Sequence, residues 1–124
     1  MLQGNTMEGT LHILIVDDNE DFCTNCIDIF ESKGYSAAAV HNGFDAIAAV
    51  KENSFDLVLM DIKMPLMDGY EATKVIRESN TNIPIIAQSA YTDDKSRVIE
   101  CGCSGIIIKP YNKGELIRKI KENI

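Results

Sequence analysis

Apolar residues fall into five short runs, each followed by a stretch where they recur every three or four positions. His12 to Val16 (His-Ile-Leu-Ile-Val) is the first run and reads as a strand; Tyr35–Val40 reads as a second, diluted by three alanines. Phe55-Asp56-Leu57-Val58-Leu59-Met60-Asp61 holds the third, Ile83–Ala87 the fourth and Ile106–Ile108 the fifth. Between them the spacing is helical. Phe22, Cys26, Ile29 and Phe30 share one face over Asn19–Lys33, with Gly34 as a stop; Ala46, Ile47 and Val50 do so over Gly43–Glu52. Asp68 and Glu71 have capping-box spacing ahead of Ala72, Val75 and Ile76. Thr92 is positioned to cap a short polar helix reaching Cys101, and Asn112 with Glu115 opens a last helix striped by Leu116, Ile117, Ile120 and Ile124.

Strand-then-helix alternation, five times over, calls for a parallel sheet with helices on both faces. Right-handed crossovers prune the topologies, and the flavodoxin-like α/β order 2-1-3-4-5 suits this length, a (βα)5 domain. With 124 residues and no linker, the expectation is one domain over 11–124 behind a disordered tail at 1–10. A formal charge of −7 argues against direct nucleic-acid contact, which needs a basic face. No apolar run approaches the ~20 residues of a membrane span, so no membrane contact and a cytoplasmic location are expected. Cys23 and Cys26 have redox-motif spacing but sit inside a helical pattern, and no second pair completes a zinc site. Most of the four cysteines read best as small buried hydrophobes.

The chemistry gathers at the strand ends. Strand one ends in Asp17-Asp18, strand three in Asp61, strand four in Ser89 and strand five in Lys109. In the order 2-1-3-4-5, strands one and three are neighbours at the switch point, where ligands bind in such sheets. Three carboxylates in one crevice repel and raise one another's pKa; a hard divalent cation such as Mg²⁺ relieves this. Asp61, beside the cation and within reach of Lys109, is placed to accept a phosphoryl group, while ammonium, metal and the Ser89 hydroxyl each meet a different oxygen. Each residue alone has a plainer role: cap, turn or solvated charge. Together they do not.

At this point the chain resembles the receiver domain of two-component response regulators, from about His12 to Ile124. The carrying motifs are Ile-Val-Asp-Asp at 15–18, Met-Asp-Ile-Lys-Met-Pro-Leu-Met-Asp-Gly at 60–69, Gln-Ser-Ala at 88–90 and Lys-Pro at 109–110. The resemblance implies Asp61 as phosphoacceptor, Asp18 as a direct Mg²⁺ ligand, Asp17 acting through a bound water, and the Lys63 carbonyl completing the metal site. It implies Ser89 as the switch hydroxyl, Lys109 as the phosphate-binding lysine and a cis peptide before Pro110. Lys63 and Tyr91 would rim the path of hydrolytic water. The implied donor is a histidine kinase or histidine phosphotransfer domain, with a homodimer also compatible. The wording at 64–73 and 83–91 is most similar to receivers of hybrid sensor histidine kinases. One position departs: Ile106 stands where receivers usually carry Tyr or Phe, and Tyr111, beyond Lys109-Pro110, is no automatic substitute.

Two other functions compete. A haloacid-dehalogenase-type phosphatase needs a second Asp two residues after the nucleophile, where Lys63 stands. A phosphorylation-independent interaction module of the same fold is the alternative that labelling by a small phosphodonor would separate.

Overall fold

The computed structural model describes residues 10–90 and 92–124, so most of the tail expected at 1–10, and Tyr91, lie outside the described residues. Strands β1 (His12–Val16), β2 (Ser36–Val40), β3 (Leu57–Asp61), β4 (Ile85–Ala90) and β5 (Gly105–Lys109) alternate with helices α1 (Glu20–Ser32), α2 (Gly43–Glu52), α3 (Gly69–Ser79), α4 (Lys95–Glu100) and α5 (Lys113–Glu122). The strands form one parallel sheet in the order β2-β1-β3-β4-β5, as expected for the flavodoxin-like fold.

Period-two alternation along the strands sorts the core into two layers. Ile13, Ile15, Leu57, Leu59, Ile86 and Ile107 turn toward α1 and α5, meeting Cys23, Cys26, Phe30, Leu116 and Ile120. Leu14, Val16, Val58, Met60, Ile85 and Ala87 turn the other way, onto Ala46, Ala72, Ile76 and Val98 of α2, α3 and α4. A strand buried on both faces has no polar position to spare, which is why β3 reads as an unbroken apolar run until Asp61. The carboxylates at its end therefore sit where the sheet stops and the loops begin.

Most element ends agree with the pattern. Asn19 caps α1 by accepting from Phe22 N, and both expected capping boxes form, at Asp68/Glu71 and Asn112/Glu115. Gly34 takes φ 86° just past α1, the left-handed conformation a glycine stop supplies. Some details differ. The fourth strand starts at Ile85, because Asn80 Oδ1 takes Ile83 N into a turn at 3.0 Å, and it runs on to Ala90 by pairing with β5 as far as Lys109. Asp94, not Thr92, caps α4: its carboxylate accepts from Ser96 N and Arg97 N. Ile124 lies beyond α5, is 52% exposed and adds nothing to the helix stripe. None of these moves a strand end away from the crevice.

Candidate functional site

β1 and β3 deliver their carboxylates side by side. Asp17 is buried and fully engaged: Oδ1 accepts from Asn19 N at 2.9 Å and Oδ2 meets Lys109 Nζ at 3.1 Å. Its carbonyl is backed by Cys23 Sγ at 3.4 Å and His41 Nδ1 at 3.0 Å, so His41 braces the site from behind. Asp18, by contrast, is exposed at the mouth. Asp61 is 7% exposed; its Oδ1 accepts from Lys63 N at 3.4 Å and pairs with Lys109 Nζ at 3.5 Å. Among the described residues, Asp17, Asp18 and Asp61 each offer a carboxylate oxygen within 4.8 Å of the others, a cluster that could hold a metal ion. All the donors are hard oxygens, the set that Mg²⁺ or Ca²⁺ prefers over soft metals.

The electrostatics follow from crowding. Burial pushes the Asp61 carboxyl up from 3.8 to about 6, and the charge of Asp17 adds to it; Lys109 and the Lys63 N–H pull back without winning. For Lys109, burial works against the ammonium, yet the charges of Asp61 and Asp17 outweigh it and the pKa rises. Lys109 thus stays charged between two carboxylates. The cis peptide expected before Pro110 is present.

On the far side of the cleft, Ser89 is 1% exposed at the end of β4. Its hydroxyl is not turned to Asp61: Oγ lies 3.2 Å from Asp93 Oδ2 and 3.2 Å from the Ala90 carbonyl. Asp93 also accepts from Ala90 N at 2.7 Å and pairs with Lys63 Nζ at 3.3 Å. Burial alone would raise the Asp93 pKa, but the Ala90 N–H, Lys63 and Ser89 lower it overall. Sequence reasoning missed Asp93. The pattern assigns the cap to Thr92 and passes over the adjacent Asp93-Asp94, of which the second caps the helix and the first turns back to Ser89. Lys63, expected over the pocket, lines the cleft with Asp61, and its ammonium pairs there with Asp93, the side chain 73% exposed. Tyr91, expected beside it at the rim, lies outside the described residues.

Two further expectations resolve here. Ile106 is partly buried against the α2–α4 layer, while Tyr111 turns inward on the other side and donates to Gln88 Oε1 at 2.6 Å. The cysteines are free and buried, and burial pushes Cys23 to about 11 and Cys26 to about 12. Such thiols are inert at neutral pH, as the hydrophobe reading requires. No helix among the described residues is long and apolar enough to cross a membrane.

Comparison with known proteins agrees with the geometry. The response regulator receiver domain family matches residues 13–121. The transcription factor SKN7 of Candida albicans is 36% identical across 91% of this chain, which corresponds to 21% of SKN7. The chain thus spans about a fifth of that relative's length. The polar-differentiation response regulator DivK of Brucella anthropi is 34% identical over 88% of this chain and 92% of its own. Among solved structures, the receiver domain of the sensor histidine kinase PA1611 from Pseudomonas aeruginosa superposes with a TM-score of 0.85 at 30% identity, covering 92% of this chain and 97% of that one. That structure has a magnesium ion coordinated in its active-site cleft. By its motifs, its sheet order and these relatives, the chain belongs to the response regulator receiver domain family.

Proposed function

We propose that Asp61 accepts a phosphoryl group from a phosphohistidine and that the resulting acyl phosphate shifts the domain's conformation for signalling. The observation that carries this is a nearly buried carboxylate, its pKa lifted to about 6, held 3.5 Å from an ammonium that also grips Asp17. Such a carboxylate is poorly solvated and therefore a better nucleophile than one in water. An Asp61 oxygen attacks phosphorus in line, the P–N bond to the donor imidazole breaks, and that nitrogen takes a proton as it leaves. Lys109 holds the transferring oxygens on one side, and Ser89 meets another once its hydroxyl leaves Asp93.

Asp17, Asp18, Asp61 and the Lys63 carbonyl would hold Mg²⁺, whose chemistry is to offset the charge of phosphoryl and carboxylate oxygens. The acidic oxygen cluster and the magnesium-bearing PA1611 receiver support this assignment. A histidine kinase or histidine phosphotransfer domain is the donor this chemistry needs. The similar receiver domain of PA1611 belongs to a sensor histidine kinase, which supports a hybrid-kinase parent.

Acetyl phosphate with Mg²⁺ should label the wild type stoichiometrically and Asp61→Asn not at all. Equal labelling of both would remove Asp61 from the acceptor role. An unlabelled wild type with its pocket intact would favour a phosphorylation-independent module.

A further inference from the structure

We infer that Gln88 is a positioning residue of the phosphoryl site: its side-chain amide, anchored by Tyr111, donates a hydrogen bond to Asp61 when Asp61 carries phosphate. The inference rests on Asp61 being the acceptor.

Three observations lead to it. Gln88 is 1% exposed, and its Nε2 is the one buried side-chain nitrogen or oxygen among the described residues with no hydrogen-bond partner. An orphaned amide N–H₂ in a packed interior costs about 1–3 kcal/mol, so it persists only where something compensates. Second, the amide is held at its other end. Tyr111 Oη donates to Gln88 Oε1 at 2.6 Å, and Tyr111 is itself wedged edge-on against Phe22 at 6.1 Å.

Third, the place is right. Gln88 is the register partner of Asp61 across β3 and β4, so both side chains leave the sheet on the same face. Asp61, Gln88 and Lys109 all line one 260 Å³ cleft, together with Lys63, Ala90 and Asp93. The carboxylate has two contacts there, Lys63 N and Lys109 Nζ, and both fall on Oδ1. An acyl phosphate carries more oxygens than those two groups can meet; beside Ser89, which must first leave Asp93, the cleft offers the Gln88 N–H₂, a donor with no partner to give up. A residue of the same volume without the amide, such as Leu, would leave the Tyr111 hydroxyl without its acceptor but would lose no bond at Nε2. Tyr111 thus accounts for the amide oxygen, and the N–H₂ is the part that answers to the site.

The connection also gives Tyr111 a task. Tyr111 touches Gln88 on one side and the α1 residue Phe22 on the other, and Lys109 Nζ lies 5.0 Å over that same Phe22 ring. Occupancy at Asp61 is thereby felt at α1 through residues other than Ile106.

The test uses the whole chain with beryllium fluoride and Mg²⁺ as a phosphoryl mimic, followed by ¹H–¹⁵N spectroscopy. The backbone amides of Ser89 and Lys109 report binding of the mimic; the Gln88 side-chain amide reports this inference. All three should shift, and Gln88→Leu should slow acetyl phosphate labelling about five- to tenfold with Mg²⁺ affinity unchanged. Gln88→Glu keeps the shape and the Tyr111 bond but replaces the donor with charge, so it should slow labelling further. Tyr111→Phe should slow it less than either. A Gln88 amide that stays still while the backbone amides move overturns the role, as does wild-type labelling in folded Gln88→Leu. If no resonance moves, the acceptor assignment of Asp61 falls and takes this role with it.

Discussion

At the scale of single residues, Asp61 is a carboxylate whose charge the fold opposes. Its carboxyl is lifted from 3.8 to about 6 by burial and by Asp17. A carboxyl with a higher pKa folded than unfolded holds more protons in the folded state between those values, so stability falls as pH rises from roughly 4 to 6. At pH 7 without metal the ionised side chain is therefore a liability of about 1–3 kcal/mol. Asp61→Asn removes the charge at nearly constant shape and should raise the urea midpoint of the metal-free protein at pH 7, while making no difference at pH 4. A lower midpoint at pH 7 would mean that the Lys109 pairing outweighs the crowding.

Asp93 works in the opposite sense, as a competitor for the site's own groups. It binds the Ser89 hydroxyl at 3.2 Å and the Lys63 ammonium at 3.3 Å, holding both away from Asp61. Asp93→Asn retains an oxygen for Ala90 N but loses the charge. Freed of it, Ser89 can turn to the phosphoryl group at lower cost, so beryllium fluoride should bind about three- to tenfold tighter, on the order of 1 kcal/mol. The Lys63 share of this is small, because that side chain is 73% exposed and its ion pair is screened. Unchanged or weaker binding in a folded Asp93→Asn protein would show that Asp93 helps the active arrangement instead.

Among the elements, the join of β3 to α3 holds Asp61, the proposed nucleophile. Gly69 N donates to Ile62 O at 2.8 Å, and a Cβ at Gly69 would collide with the Asp61 carbonyl and press on Ile62 Cα. Both obstacles are backbone, so neither can step aside. Gly69→Ala should cost about 1–3 kcal/mol and slow labelling beyond what the lost stability explains, since it displaces the backbone of Asp61, the proposed acceptor. Thermal melts and labelling rates on the same samples separate the two effects; wild-type labelling would show that the loop absorbs the strain. The opening Asp-Gly was legible in the sequence as a helix start, but its contact with the Asp61 backbone was not.

That contrast holds for most of what was and was not legible. Strand and helix periodicity, the two capping boxes and the carboxylates at the strand ends are local patterns, and each survives in the structure. What escaped depends on side-chain direction across loops: Asp93 turning back to Ser89, and Tyr111 reaching over to Gln88. Spacing cannot state which of two adjacent aspartates caps a helix, nor which face an aromatic after a cis proline chooses. Gln88 was visible only as part of a motif; its buried, unmatched amide is a property of packing.

For the whole molecule, the sheet order gathers three carboxylates at the ends of two strands, and on the proposed metal assignment their repulsion links folding to cation binding. A cation that binds the folded chain and not the unfolded one stabilises it by mass action, about 2.7 kcal/mol at a hundredfold excess over its dissociation constant. Millimolar Mg²⁺ should therefore raise Tm in the wild type and far less in Asp18→Asn, where one carboxylate charge is lost and the remaining pair is already tied to Lys109. Equal Mg²⁺ shifts in both would place the ion elsewhere. Lys109→Ala should leave slow phosphorylation but lose the response beyond β4 and β5, because the ammonium is what joins Asp61 to the last strand.

The most direct measurement is to find the phosphorylated atom. The chain is labelled with a phosphohistidine donor in Mg²⁺, the acyl phosphate is reduced with borohydride, and the peptides are sequenced by mass. Reduction converts an aspartyl phosphate to homoserine and leaves ordinary carboxylates alone. Homoserine at position 61, and at no other aspartate, is the predicted result. Homoserine at Asp17, Asp18 or Asp93, or none in a stoichiometrically labelled sample, would contradict the account.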